Sequence, residues 1–363
     1  MKVGIIGCGN IFSAYIKGCS IFGEVHVVAC ADIRMERASA MAAEYNLKAM
    51  TVDDLLGDRS IGMIINLTIP AAHEEVSMKA LNAGKHVYSE KPLVLDVGGG
   101  LKILELAKGR GLRVGCAPDT FLGAGLQTCR QVIDSGGIGK PLSGTAFMMQ
   151  RGPESWHPDP GVFYQRGAGP MLDVGPYYVT ALVHLLGPVK SVVAMTTQGF
   201  ESRVATCKER LGETLPVEVP THQSGQLLFK NGAVVAMVVS FDVVRHGHRP
   251  IEIYGTEGSL AVPDPNTFGG PVLVTRSGKE TWGDVPLAFG YHEQSRGIGA
   301  ADMAHAIRTG RSHRCDGQLA LHVLEVMLAF EESGKTRSWV DIRNPSGQPR
   351  PFPAGMPTGV LDD

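Results

Sequence analysis

The chain has 363 residues, 44% hydrophobic and 19% charged, which is ordinary globular composition at a length where one core stops growing, so two domains are expected. Its formal net charge of -2 gives no basic field for phosphate backbones or anionic lipid, which argues against nucleic acid and membrane partners. The seven cysteines form no CxxC pair, the opening MKVGIIG carries no leader pattern, and no apolar run is long enough for a bilayer, so a reducing, cytoplasmic setting is the expectation.

In chain order, the apolar runs 3–6, 25–31, 63–67, 86–88 and 113–116 read as strands separated by stretches long enough for crossover helices. Runs apolar on both faces imply a parallel, doubly wound sheet covered by helices. Helical periodicity marks 34–45 and 71–83, the latter closed by Gly84 as a left-handed cap, and the glycine triplet 98–100 reads as the weak first turn of a helix reaching Lys108. From Leu142 the texture changes to β-rich runs at 142–150, 189–198, 224–230, 233–241, 248–255, 258–262 and 271–275. Asn231-Gly232 and Glu257-Gly258 sit between pairs of these runs, which is hairpin chemistry and argues for antiparallel pairing. Helices are expected at 171–186, 298–309 and 317–332, covering one face of an open, mostly antiparallel sheet and leaving the other face for a partner subunit. The tail from 344 to 363 reads as an extended arm.

The turn Gly7-Cys8-Gly9-Asn10-Ile11-Phe12 follows the first strand and opens a helix, where backbone N–H groups and the helix dipole can hold a diphosphate. Gly7 makes the tight turn and Gly9 lets the phosphates approach, while Phe12 replaces the third glycine of the fingerprint. Asp32 ends the second apolar run at the distance where a carboxylate reaches ribose hydroxyls, which favours NAD over NADP, though Arg34 could accommodate a phosphate. The competing reading is a glycine-rich turn with Asp32 as a helix N-cap. Asn10, Ile11, Thr68, Pro70, His73 and Glu90 complete the expected cofactor contacts. No compact metal-ligand spacing is present.

Glu90-Lys91-Pro92 follows the run that ends at Ser89, at the carboxyl end of a parallel strand, where open sheets place ligands. With the GCGN turn, Asp32, the segment 167–178 (GAGPMLDVGPYY) and the hairpin IEIYGTEGSL, these residues make the chain resemble the Gfo/Idh/MocA oxidoreductases over nearly its whole length. The resemblance implies an α/β Rossmann domain at 1–121, an α+β substrate and oligomerisation domain at 122–343, and the tail at 344–363. It further implies NAD, a sugar or polyol substrate, and a homodimer or homotetramer built through the open sheet.

Carried over on that resemblance, Lys91 would meet both substrate hydroxyl and cofactor, and Asp173 matches the acidic residue of the glycine-rich helix entrance. Tyr177 stands where the family usually has histidine, and positions 173 and 177 share a helical face. One reading makes Tyr177 the proton acceptor with its pKa lowered by Lys91; the other has Lys91, partly neutral through desolvation, take the proton while Tyr177 packs in the core. Asp119 and Phe121, which replace an Asn-Arg type sequence, are candidates for substrate contact, as are Trp156, His157 and Tyr164 in a proline-rich loop, with His157 also an alternative base. His184, His305 and His322 read as packing residues. The leading expectation is hydride transfer from a carbinol, with an aldose C1 giving a lactone as one case and D-apiose as one candidate substrate. The alternatives are a glycosidase that uses NAD transiently and a non-catalytic sugar and NAD sensor.

Overall fold

The N-terminal apolar runs form six strands: β1 (Lys2–Ile6), β2 (His26–Ala31), β3 (Lys48–Met50), β4 (Met63–Asn66), β5 (His86–Ser89) and β6 (Val114–Cys116). All pairings are parallel, in the order β3-β2-β1-β4-β5-β6. The computed structural model describes residues 1–279 and 281–362. The edge strand β3 was not expected; it is only three residues long and partly exposed, too short for any period to show. The connecting helices are α1 (Phe12–Cys19), α2 (Met35–Tyr45), α3 (Val52–Gly57), α4 (His73–Asn82) and α5 (Val97–Gly109). Gly84 takes φ 74° just past α4, as a left-handed cap requires. The glycine triplet does open α5, because Asp96 accepts from the Gly99 N–H and so offsets the poor propensity of three glycines. The strand order reverses between β1 and β4, and their carboxyl ends open the crevice in which such sheets bind ligands.

After α6 (Ala124–Asp134) come β7 (Pro141–Met149), α7 (Gly169–Asp173), α8 (Gly175–Leu186), β8 (Val189–Thr197), β9 (Ser202–Val204), β10 (Thr214–Pro216), β11 (His222–Phe229) and β12 (Val234–Ser240). Then follow β13 (Ile251–Gly255), β14 (Gly258–Val262), β15 (Val272–Arg276), β16 (Gly283–Val285), α9 (Ile298–Thr309), α10 (Gly317–Thr336) and β17 (Val340–Asp341). Nine of the strands form one sheet, β16-β15-β14-β13-β7-β12-β11-β8-β17. The two expected hairpins pair antiparallel, and β7 with β12 is the parallel exception. Buried and partly exposed positions alternate along β7 and β12, as a sheet with one covered face demands. Met195 on β8 is 74% exposed on the free face. Helix α6 was not anticipated: its first two turns are buried all round, which erases the amphipathic stripe.

The single helix expected over 171–186 is in fact two, broken at Val174. Pro176 has no N–H to continue the ladder and instead occupies the first turn of α8. The tail carries no helix or strand among its described residues but is anchored: Phe352, Met356 and Leu361 are buried, and the Phe352 N–H donates to Gln127 Oε1 at 2.8 Å. Near its end Asp362 pairs with Arg314 at 2.7 Å and Arg311 at 3.0 Å, and both arginines also meet buried Asp302 at 2.6 Å. No helix among the described residues is long and apolar enough to cross a membrane.

Candidate active site

At the β1–α1 turn, Gly7 has φ 102°, and a Cβ there would stand 2.5 Å from the Leu67 carbonyl oxygen, so only glycine fits. At Gly9 nothing lies within 4 Å of such a Cβ, which leaves the turn open to a diphosphate. Asn10 and Arg34 are exposed and Ile11 is half-buried beside this opening. Phe12, in place of the third glycine, is buried with its ring centroid 5.9 Å from that of Tyr45. Asp32 is not the N-cap of α2; that position is Arg34, which makes no side-chain cap. Instead the Asp32 carboxylate accepts from Cys8 N and Arg34 N, each at 2.8 Å, and so ties the glycine turn to the end of β2. Two exposed apolar side chains that sequence reasoning missed, Ile33 at 97% and Ile69 at 70%, follow β2 and β4 and could cover a flat adenine ring.

Thr68 is half-buried and donates to Asn66 Oδ1 at 2.7 Å, and Pro70 is exposed at the start of a short turn. His73 is corrected from cofactor contact to brace. It is fully buried, with Nδ1 2.6 Å from the Pro92 carbonyl and Nε2 3.0 Å from the Thr68 carbonyl, so its ring links the loops after β4 and β5. Burial pushes its pKa below the ordinary histidine value.

Lys91 reaches across from the end of β5 to α7. Its Nζ donates to the Asp173 carbonyl at 2.5 Å and to Asp173 Oδ1 at 3.0 Å, and lies 5.3 Å from the centroid of the Tyr177 ring. The three residues are thus brought together, despite the break in the helix that carries two of them. Glu90 is held by the Tyr15 hydroxyl at 2.8 Å and by Lys91 N at 2.9 Å. Burial alone would lower the Lys91 pKa, but Asp173, with Tyr177 and Glu90, outweighs it and holds the ammonium charged beyond the ordinary lysine range. A partly neutral Lys91 is therefore corrected.

For Tyr177 burial pushes the pKa up, Lys91 and Arg296 pull it down, and burial wins. The lysine acts in the expected direction, but the net shift is upward and corrects the expected lowering. Arg296 itself went unnoticed: its guanidinium carbon is 5.8 Å from the Tyr177 ring centroid, and Nη2 donates to Asn266 Oδ1 at 2.6 Å. It comes from a polar loop without period, and Tyr15 from the interior of α1, so neither carried a sequence signal.

The structure draws other candidates away from a substrate surface. Asp119 is buried, and its Oδ2 accepts from Gly297 N at 2.8 Å and Gly299 N at 3.1 Å, which satisfies the start of α9. Burial lifts its pKa to about 6 against these hydrogen bonds. Phe121 is buried with its centroid 5.1 Å from that of His184. Tyr164 is fully buried, donates to Glu154 Oε1 at 2.8 Å and lies 5.8 Å from the Arg203 guanidinium. Each had been expected at the substrate; the aromatic bodies were instead needed as core. Trp156 is 61% exposed, and its ring and that of His157 pack on each other and on Phe163, within their own loop. His157 Nδ1 accepts from Asp159 N at 3.0 Å. His184, His305 and His322 are all buried.

Comparison with known proteins agrees with this layout. Residues 1–117 match the oxidoreductase family with an NAD-binding Rossmann fold, and residues 126–261 match the GFO/IDH/MocA C-terminal domain. Inositol 2-dehydrogenase of Salmonella typhimurium is 33% identical over 149 residues, which are 39% of this chain and 44% of that enzyme, so the match spans under half the relative's length. 1,5-Anhydro-D-fructose reductase of Ensifer adhaerens is 25% identical over 78% of this chain and 82% of its own. Among solved structures, an NAD binding oxidoreductase from Klebsiella pneumoniae superposes with a TM-score of 0.81 at 21% identity, covering 94% of this chain and 99% of its own. Levoglucosan dehydrogenase in complex with NADH and levoglucosan does so with a TM-score of 0.79 at 23% identity, covering 95% and 99%. With both halves matched in order, and the glycine turn and the EKP lysine placed as described, the chain belongs to the Gfo/Idh/MocA oxidoreductase family.

Proposed function

We propose that the protein is an NAD-dependent dehydrogenase of a sugar or polyol carbinol. Residues 1–121 seat the dinucleotide, residues 122–343 supply the substrate side, and the tail 344–363 fastens the second part. The single observation that carries the reading is the Lys91 ammonium, held by Asp173 and facing Tyr177 at the mouth of the crevice. The open space at Gly9, the backbone approach at Gly7, the Asp32 carboxylate and the exposed Ile33 and Ile69 fit a dinucleotide. The carboxylate at Asp32 disfavours a 2′-phosphate and so favours NAD over NADP. Bound there, NAD supplies the hydride acceptor.

The chain's own residues then divide the remaining work. Lys91 spends two hydrogen bonds on Asp173, and its third N–H is free to hold the reacting oxygen and favour the charge that develops on it. In the oxidative direction Tyr177, as the phenolate, accepts the hydroxyl proton and becomes the phenol, and Lys91 and Arg296 favour the phenolate that must be present beforehand. Because burial keeps Tyr177 protonated at rest, the site as it stands is set to give a proton to a carbonyl, and oxidation speeds up as pH rises. Asp173 orients the ammonium and Glu90, steadied by Tyr15, closes the other side. The free face of the nine-stranded sheet, with Met195 exposed, serves as the surface for a homodimer or homotetramer.

The test is NADH formation from a panel of aldoses, inositols and anhydrosugars, repeated with NADP. Net accumulation of NADH that Lys91→Met abolishes is expected. Thermal stabilisation by a sugar without any turnover would point to a sensor, and turnover of glycosides without net NADH would point to a glycosidase.

A further inference from the structure

We propose that Arg296 reads an anionic group of the substrate, so that the carbinol acted on belongs to a sugar acid or polyol acid. This rests on the dehydrogenase reading above and narrows its substrate class.

Arg296 is built into the site from several sides. The segment before α9 is pressed against α1, where a Cβ at Gly18 would stand 1.8 Å from the Arg296 carbonyl oxygen. The next residue is pinned by Gly297 N donating to Asp119 at 2.8 Å. From this fixed backbone the guanidinium lies against the same tyrosine ring as the Lys91 ammonium, at 5.8 and 5.3 Å from its centroid. One sugar-sized ligand can therefore touch both cations.

The acidic groups nearby are already engaged. Asp173 is taken by Lys91 at 3.0 Å, Glu90 by the Tyr15 hydroxyl at 2.8 Å and Lys91 N at 2.9 Å, and Asp119 by the α9 amides at 2.8 and 3.1 Å. Nη2 of Arg296 donates to the side chain and carbonyl of Asn266, and the Tyr177 hydroxyl is a further hydrogen-bond partner of the guanidinium; all of these partners are neutral. A guanidinium carries five N–H donors in a planar fork, more than these neutral partners take up, so donors remain for a ligand. That fork matches a carboxylate with two parallel hydrogen bonds, whereas a lone hydroxyl would leave most of it unmet. The carboxylates of Asp119 and Glu90 favour the charge on Arg296 from a distance, but neither forms an ion pair with it among the described residues, so a bound anion would give the cation a direct partner.

The experiment compares neutral sugars with their acids, D-glucose against D-gluconate and D-glucuronate and D-galactose against D-galacturonate, using NAD and the full-length enzyme, Arg296→Gln and Arg296→Lys. Wild type is expected to favour an acid over its neutral partner by about tenfold or more in kcat/KM. Arg296→Gln should lose that preference through the KM of the acid, with the KM for NAD within about twofold, and Arg296→Lys should keep part of it. Thermal shift in the presence of NADH gives an independent binding readout, in which the acids stabilise wild type more than Arg296→Gln. NADH formation confined to neutral sugars would overturn the inference and leave the dehydrogenase standing. A raised KM for NAD in Arg296→Gln, with no change for the acids, would reassign Arg296 to the cofactor and also overturn it. No NADH from any pair, and none from the wider panel, would remove both readings together.

Discussion

Lys91 Nζ donates twice to Asp173, to the backbone carbonyl at 2.5 Å and to Oδ1 at 3.0 Å, so a residue at the end of β5 is fastened to the one that ends α7. The double contact fixes the direction of the remaining N–H and keeps the ammonium charged. It also joins the parallel sheet to the helices of the open sheet at the point where the substrate is expected.

Replacing Lys91 by Met should therefore lower kcat by about 10²–10⁴. Lys91→Arg should not restore it, because a planar fork cannot reproduce both contacts to Asp173 and still point a donor at the substrate. Steady-state kinetics with NADH-binding fluorescence as a control checks this. A Lys91→Met enzyme with more than a tenth of wild-type kcat would place the ammonium away from the reacting oxygen.

Tyr177 should set the alkaline course of the rate. Its pKa is raised in the folded protein, so the phenolate that accepts a proton becomes populated only above the ordinary tyrosine value of about 10. Oxidation should climb with pH across the alkaline range and carbonyl reduction should fall. Tyr177→Phe should lose this limb and most of the turnover; an unchanged profile would exclude the phenol from proton transfer.

At the cofactor end, Asp32→Ala removes the acceptor of two backbone N–H groups as well as the carboxylate expected at the ribose. The KM for NAD should rise about tenfold or more, and the preference for NAD over NADP should shrink. Retention of wild-type KM with both cofactors would argue that the nucleotide does not reach Asp32.

Asp119 makes a prediction about stability. Burial raises its folded pKa to about 6, above its unfolded value of about 3.9, so its contribution is fully present below the lower value and lost as pH rises through the upper one. Relative to Asp119→Asn, wild type should gain stability as pH falls from 7 to 5, read from urea midpoints. Asp119→Ala should cost about 1–2 kcal/mol throughout, since the amides of Gly297 and Gly299 lose their acceptor.

The tail is held by charge as much as by apolar contact. Asp302, fully buried, accepts from Arg311 and Arg314 at 2.6 Å, and the same arginines hold Asp362. Asp302→Asn should destabilise the protein by about 3–5 kcal/mol, because two guanidinium groups lose their buried counter-charge. Limited proteolysis should then release the tail first. An unaltered unfolding midpoint would show that the tail does not depend on this cluster.

Periodicity and turn chemistry make much of the architecture legible in the sequence alone. The long strands, the hairpin at Asn231-Gly232, the cap at Gly84 and the glycine turn all follow from short-range rules that act within a few residues. Among the elements that escaped were the three-residue β3, the all-round buried α6 and the break that Pro176 makes ahead of α8, each without such a signal.

The sequence by itself determined that a glycine turn followed by Asp32 would seat a nucleotide, and that Lys91 would stand at a strand's carboxyl end. What only the tertiary structure decided was which distant side chains meet there. It moved Asp119, Phe121 and Tyr164 into the interior, turned His73 into a brace, and set Arg296 beside Tyr177 from more than a hundred residues away. Residue type limits what a side chain can do, but burial and charge at a site depend on neighbours brought in by packing, and no local pattern in the chain encodes them.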